Sequence, residues 1–354
     1  MNSLVTPATY SVDRGPAIFV GADEGDSYWQ PPPANGYVTV KLSPWNCPSN
    51  QFACGIQVIA PGGSLREHAH SRNEEILFVY GGRGVAIVDG VEHPVEVGSV
   101  VYAGRWVRHA LRNDGADELR VFWVILPPGL ETVLKGLGRP RVPGEPPPAD
   151  LQRPADAEQV LALGNFAEPE QLERHLVQRP PDKGAAVVRG PGDGRSFWQP
   201  EPSFAYATVL LSPADPPVVS NLFSYGIQVF APGASLRPHA HGRNDEILFI
   251  YEGEGTITVQ GRSFPIRPGA TAFVSRFVEH TLVNTGPGEL KLVWMIFPPG
   301  LETVFEKIGQ PRRPGEPRPE AVQRPADVQE ILDRAAFATA EELAARAIAG
   351  GDAA

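Results

Sequence analysis

The sequence is poor in cysteine, with two in 354 residues, Cys47 and Cys54, both in the first half. They do not form a CxxC pair, which argues against a thiolate metal site. So few thiols suit a reducing compartment better than a disulfide framework. Long apolar runs are also lacking. No stretch approaches the roughly 20 residues that cross a membrane as a helix. The opening MNSLVTPATYSVDRG has neither the basic end nor the apolar centre of a secretory leader. Positive charge is in deficit, with 31 Lys and Arg against 41 Asp and Glu and a net charge of -10. That balance argues against nucleic acid and anionic lipid as partners. The expectation is a cytoplasmic protein that meets a small molecule.

What is present is repetition. GADEGDSYWQPPP at Gly21 returns as GPGDGRSFWQPEP at Gly190, and CGIQVIAPGGSLREHAHSRNEEILFVYGGRG returns as YGIQVFAPGASLRPHAHGRNDEILFIYEGEG. VFWVILPPGLETVLKGLGRPRVPGEP and RPADAEQVLALGNFA each have a second copy as well. The repeat spans about 14–177 and 183–348. A unit this long can bury a core alone, so it is a duplicated domain rather than a solenoid repeat. The expected domains are 1–178 and 183–354, joined by the polar, proline-bearing stretch around Arg179–Lys183. Within each copy, runs such as YVTVKL, EILFVY, GVAIVDG and LRVFWVIL recur every 8–12 residues between Gly, Pro and Asn. That is the spacing of an antiparallel sandwich or barrel. The 38 prolines and 37 glycines fit a turn-rich all-β protein. PPGLETV starts a short helix at its prolines, and further helices are expected over Ala155–Leu163 and Pro169–Val177.

The chemistry is concentrated in one constellation. The first copy has His68, His70, Glu75 and His109, and the second has His239, His241, Glu246 and His280. Six of the eight histidines occupy these positions. In a strand, residues i and i+2 share a face, so each HxH pair can point into the barrel. The glutamate opens the next apolar run and the third histidine comes from a later strand. Three imidazoles and a carboxylate make a mixed nitrogen–oxygen site with room for two further ligands. A lone histidine is more often core filler. A full set found twice is not readily explained that way.

These residues resemble the cupins. The first cupin motif, G(x)5HxH(x)4E(x)6G, fits Gly62, His68, His70, Glu75 and Gly82, and again Gly233, His239, His241, Glu246 and Gly253. The second, G(x)5PxG(x)2H(x)3N, fits Gly98, His109 and Asn113, and again Gly269, His280 and Asn284. Both copies depart from it in the turn, with Gly104 or Ser275 for proline and Trp106 or Phe277 for glycine. The resemblance implies two tandem cupin (jelly-roll) β-barrels with short flanking helices. It also implies a divalent transition metal in each: iron or manganese first, then nickel, copper or zinc. The PPGLE-to-PGEP tail is similar to the end of quercetinase-like cupins, whose ligand glutamate can act as a base. Glu75 and Glu246 are therefore the catalytic candidates.

Strand parity places Arg66 and Arg237 on the inward face, where a guanidinium can hold a substrate carboxylate or enolate. The same parity makes Leu77, Val79, Val107 and Leu111 line the first pocket, and Leu248, Ile250, Val278 and Leu282 the second. Trp106, Tyr102, Phe277 and Phe273 are read as core before they are read as pocket walls. His93 aligns with Phe264 and stands outside the shared set.

With no nucleophile–base pair, P-loop or dinucleotide fingerprint, the chemistry must run on the metal. The leading expectation is a non-haem dioxygenase that uses dioxygen on a small oxygenated aromatic or β-dicarbonyl compound. The alternatives are a metal-dependent lyase, decarboxylase or isomerase, and a non-catalytic binding protein. A homodimer is expected because dimers are the commonest assembly.

Overall fold

The computed structural model describes residues 17–167, 170–171, 173, 182–217, 220–334, 337–339 and 341–343. The chain forms two compact units. The first has an eight-stranded antiparallel sheet. Its strand order is Arg139–Pro140, Asp26–Trp29, Tyr37–Leu42, Ala53–Ile59, Leu119–Leu126, Glu74–Gly81, Val100–Ala103, Ala186–Arg189. A four-stranded sheet runs Ser64–His68, His109–Arg112, Arg83–Val88, Val91–Glu96. The non-sequential neighbours are the jelly-roll crossing.

The second unit repeats this with Ala17–Val20, Thr271–Val274, Asp245–Glu252, Leu290–Phe297, Ser224–Phe230, Ala205–Leu211, Arg195–Trp198 and Gln310–Arg312. Its smaller sheet is Arg262–Ile266, Gly255–Val259 and His280–Asn284. The fold is all-β, two tandem jelly-roll barrels with short helices.

The strand pattern follows burial. Arg83–Val88 alternates between more and less buried residues, as a half-covered strand must. Leu119–Leu126 is paired on both edges and buried at all but one position. Trp123 and Trp294 are 2% and 1% exposed and sit in the two cores. Each depends on a glycine opposite. A Cβ on Gly55 would lie 2.8 Å from the Trp123 ring and 2.1 Å from the Thr39 carbonyl oxygen. On Gly226 the same distances are 2.5 and 2.1 Å, to Trp294 and Thr208. Close backbone approach, not turn formation, fixes glycine in both copies of GIQV.

After the barrel, Leu130–Leu137 is helical. Leu130, Val133, Leu134 and Leu137 recur at i, i+3, i+4 and i+7, the apolar stripe of an amphipathic helix. The Gly129 N–H donates to the Glu131 carboxylate at 2.7 Å, which satisfies one backbone donor at the helix start. Val133 is 1% exposed. Its burial contributes about 1.5–3 kcal/mol, so Val133→Asp would detach the helix. The expected helix over Ala155–Leu163 appears as Ala157–Leu161 followed by a tight turn of 3-10 helix, Ala162–Gly164. Most of the one expected over Pro169–Val177 lies outside the described residues.

The units do not follow the repeat at its edges. Ala17–Val20 pairs with Thr271–Val274 and belongs to the second unit. Its repeat equivalent, Ala186–Arg189, pairs with Val100–Ala103 and belongs to the first. Each strand covers an edge whose backbone donors and acceptors would otherwise be open. Among the described residues no helix is long and apolar enough to cross a membrane.

Candidate metal centre

In the first unit the two sheets each contribute to one point. His68 ends the strand Ser64–His68 and stands opposite His109 in the antiparallel register. His70 lies two residues on, past the strand end, in a bridge with Phe166. Glu75 opens Glu74–Gly81 in the larger sheet. Its Oε2 is 2.7 Å from His109 Nε2, 3.3 Å from His70 Nε2 and 3.8 Å from His68 Nε2. In the second unit Glu246 Oε2 is 3.0 Å from His280 Nε2 and 3.3 Å from His241 Nε2. In each set of four, one ligand atom per residue lies within 4.8 Å of all the others.

In two of the three histidines of each set the opposite ring nitrogen is committed to the backbone, while Nδ1 of His70 and of His241 is buried without a hydrogen-bond partner. His68 Nδ1 pairs with the Arg66 carbonyl at 2.8 Å and His109 Nδ1 with the Val107 carbonyl at 2.9 Å. His239 and His280 do the same with Arg237 and Val278, at 2.8 and 3.1 Å. An Nδ1–H that donates to a carbonyl leaves the Nε2 lone pair free, the tautomer a metal ligand needs. His70, Glu75 and His109 are 1%, 5% and 2% exposed.

Burial opposes ionisation of Glu75, but hydrogen bonds to His109, His68 and His70 outweigh it and hold the carboxyl well below the usual range. Burial brings His70 down to about 4 against the pull of Glu75. Burial is the largest single influence on His109 and lowers it, but the hydrogen bond and charge of Glu75, with the Val107 carbonyl and Asp89, together outweigh burial and raise it. In the second unit, burial and then His280 and His241 push His239 well below its ordinary value. Burial again opposes the Glu246 charge, and His241 and His280 overcome it. An ionised carboxylate among imidazoles stripped of water is a donor set that fits a divalent transition metal.

The turn that delivers His109 keeps its shape despite its sequence. Trp106 and Phe277, where the motif has glycine, adopt φ of 65° and 62°. This left-handed conformation costs about 1–2 kcal/mol for a residue with a side chain. Hydrogen bonds hold it: Trp106 N–H donates to the His70 carbonyl at 2.8 Å, and Phe277 N–H to the His241 carbonyl at 2.7 Å. The turn is thus tied to the HxH segment it faces. Asn113, the last residue of the motif, is structural. Its amide donates to the carbonyls of Ile59 and Asp117 at 2.8 and 2.9 Å.

A cavity of about 650 Å³ opens onto the first set. His68, Glu75, Leu77 and Arg66 are on its wall, with Gln57, Trp123, Leu130, Val133 and Leu134. Val107, Val79 and Leu111 face inward as parity requires, but lie in the core cluster and are not among the lining residues. In the second unit Leu248, Val278 and Leu282 lie in the equivalent core cluster, and Arg237 is exposed. Tyr102 and Phe273 are buried.

Two wall residues were not singled out by sequence reasoning. The Phe166 ring centroid lies 5.4 Å from His68 and 4.9 Å from His70. Phe337 repeats this at 5.3 and 4.9 Å from His239 and His241. Each is pinned by a backbone bond onto the HxH segment, Ala167 N–H to Ala69 O and Ala338 N–H to Ala240 O, both 2.8 Å. Arg153 is the other. The internal repeat of RPAD and of NFA/AFA was the available signal for both.

Comparison with known proteins gives the same picture. The cupin domain family matches residues 55–125 and again 226–296. Protein SchB of Streptomyces halstedii is 32% identical over 92 residues, covering 26% of this chain and 67% of that protein. Among solved structures, a Momordica charantia 7S globulin superposes with a TM-score of 0.52 at 16% identity, over 79% of this chain and 84% of that one. The Lactobacillus farciminis oxalate decarboxylase in its formate complex also gives 0.52, at 14% identity, over 83% and 88%. At those identities the superpositions speak for the fold alone. With two jelly-roll barrels, two complete ligand sets and two matched domains, the chain belongs to the cupin superfamily, as a duplicated member or bicupin.

Proposed function

We infer that the protein is a metal-dependent enzyme, a non-haem dioxygenase acting on a small oxygenated compound in the first cavity. The observation that carries this reading is a three-histidine, one-glutamate set whose His68 and ionised Glu75 lie on the wall of a largely apolar cavity. His68, His70, Glu75 and His109 would hold the metal, and His239, His241, Glu246 and His280 a second one. When bound, a redox-active ion there supplies Lewis acidity and electron exchange with dioxygen.

The chain's own residues supply the rest. Trp123 offers a flat wall for an unsaturated body, and Leu77, Leu130 and Val133 keep water from it. Phe166 backs the imidazoles of His68 and His70. Glu75 is ionised at neutral pH, and its Oε2 becomes a useful proton acceptor for a substrate hydroxyl when it swings away from the histidine hydrogen bonds that hold its pKa down. The protein loaded with iron or manganese should consume oxygen with at least one member of a panel of catechols, flavonols and β-diketones. Oxygen uptake with none of them would sink this reading. The same donor set also suits a redox-inert ion, which favours a lyase or decarboxylase as the second reading. Turnover under strict anaerobiosis would establish that one instead.

A further inference from the structure

The wall of the first cavity carries two guanidiniums from distant parts of the chain. Arg66 stands two residues before His68 in the barrel. Arg153 comes from the segment beyond the barrel, just before the helix Ala157–Leu161. Both line the cavity. Among the described residues neither enters an ion pair, although acids are at hand. Glu67 is engaged by Arg108. Glu75 is committed to the histidines. Glu158 and Glu170 share the wall without closing on either arginine.

Both arginines are exposed at the cavity wall, where water screens but does not abolish their repulsion. Burial and the Arg66 charge both lower the Arg153 pKa. The second unit has the same arrangement: burial and Arg237 lower Arg324, whose Nε is buried without a hydrogen-bond partner. In that copy Pro238 and Gln329 stand where the first has Glu67 and Glu158. The pair is therefore kept while two of the acids around it are not.

We propose that Arg66 and Arg153 together form a carboxylate-binding site on the cavity wall, and that the compound handled there is a carboxylic acid with an apolar body. Arg237 and Arg324 are the corresponding pair in the second unit. Two planar guanidiniums can present a fork of donors to the two oxygens of one carboxylate, a geometry lysine cannot match. The apolar body then lies along Leu77, Trp123, Leu130 and Val133. A monoanion suits the wall better than a phosphate dianion, because Glu158 and Glu170 would repel the second charge. This rests on the reading of the cavity as the substrate site and names the class of that substrate.

The test is calorimetric titration of the full chain, stripped of metal, with 2-naphthoate, its neutral isostere 2-naphthamide, and 2-naphthyl phosphate. Naphthoate should bind at least tenfold more tightly than the amide and more tightly than the phosphate. Arg153→Ala should weaken naphthoate about tenfold and leave the amide unchanged, with Arg153→Lys recovering part of the loss. Arg66→Ala should repeat the effect from the barrel side. The metal content and thermal midpoint of Arg153→Ala should match the parent chain. Equal binding of acid and amide, tighter binding of the phosphate, no binding of any probe at millimolar concentration, or no response to either arginine variant would overturn the proposal. The binding readout depends on neither bound metal nor turnover, so failure here leaves a dioxygenase with an uncharged substrate standing. Absence of oxygen uptake, in turn, would leave the carboxylate site standing.

Discussion

In the first unit Leu134 and Trp123 are both on the wall of the cavity. In the second, Phe305 occupies the repeat position of Leu134, and its ring centroid lies 5.2 Å from that of Trp294. An aromatic ring thus stands against the indole where the first unit has an aliphatic side chain. Below this difference the units agree: the same four ligands, the same backbone partners for the ring nitrogens, the same phenylalanine on the HxH segment. A duplicated site can preserve its donor chemistry while its walls diverge, because donor atoms must converge to within tenths of an ångström and wall residues need only fill space.

The sharpest way to break this comparison is at the ligands. His70→Ala and His241→Ala should each remove one metal equivalent per chain, and the double variant should remove both, by metal analysis of protein purified without added metal. Loss of both equivalents from one single variant would show that the units are not independent. Next in size are the glycines under the tryptophans. Gly55→Ala and Gly226→Ala should each cost about 1–3 kcal/mol in denaturant unfolding. The second should cost more because the added Cβ meets Trp294 at 2.5 Å rather than Trp123 at 2.8 Å. Equal losses would mean that the Thr39 and Thr208 carbonyls, not the indoles, set the limit.

The walls come third. Leu134→Phe should weaken 2-naphthoate binding to the first unit about tenfold, roughly 1.4 kcal/mol, and Phe305→Leu should strengthen it in the second. Unchanged calorimetric affinities would separate the binding site from this wall.

The smallest expected effect is the pH response of the metal-free chain. His70 sits at about 4 in the fold against 6.5 ordinarily, so unfolding takes up a proton between those values. Stability from this residue is therefore present above about 6.5 and lost as pH falls toward 4. His239, also lowered, acts in the same direction in the second unit, while the raised His109 opposes it in the first. Glu75 and Glu246, both lowered, extend the loss below the ordinary carboxylate value of 4.5. Thermal midpoints should fall from pH 7 to 4, and His70→Gln should flatten the first unit's share. A midpoint that rises on acidification would contradict these assignments.

The ligand residues were legible in the sequence because the full motif occurs twice, although the strand ends at His68 and only isolated bridges carry His70, His239 and His241. The departures at Trp106 and Phe277 were legible as departures, but their outcome was not. Whether a bulky residue accepts φ near 65° depends on the hydrogen bond it gains from the HxH segment, which is a tertiary contact. Val107 shows the limit of parity. Facing inward in a barrel means core or cavity, and only depth along the barrel separates them. Arg153 and Phe166 lie beyond the barrel strands, where no period relates their position to the site.

Duplication, all-β character and two metal sets were therefore written in the sequence, through repeat, strand spacing and residue type. The assignment of the first strand of each copy was not. Ala17–Val20 (AIFV) and Ala186–Arg189 (AVVR) are equivalent in the repeat, yet each completes the unit built mainly from the other copy. An open sheet edge offers backbone hydrogen bonds that carry little side-chain address. Which edge each strand covers was settled only when the whole chain closed its two barrels.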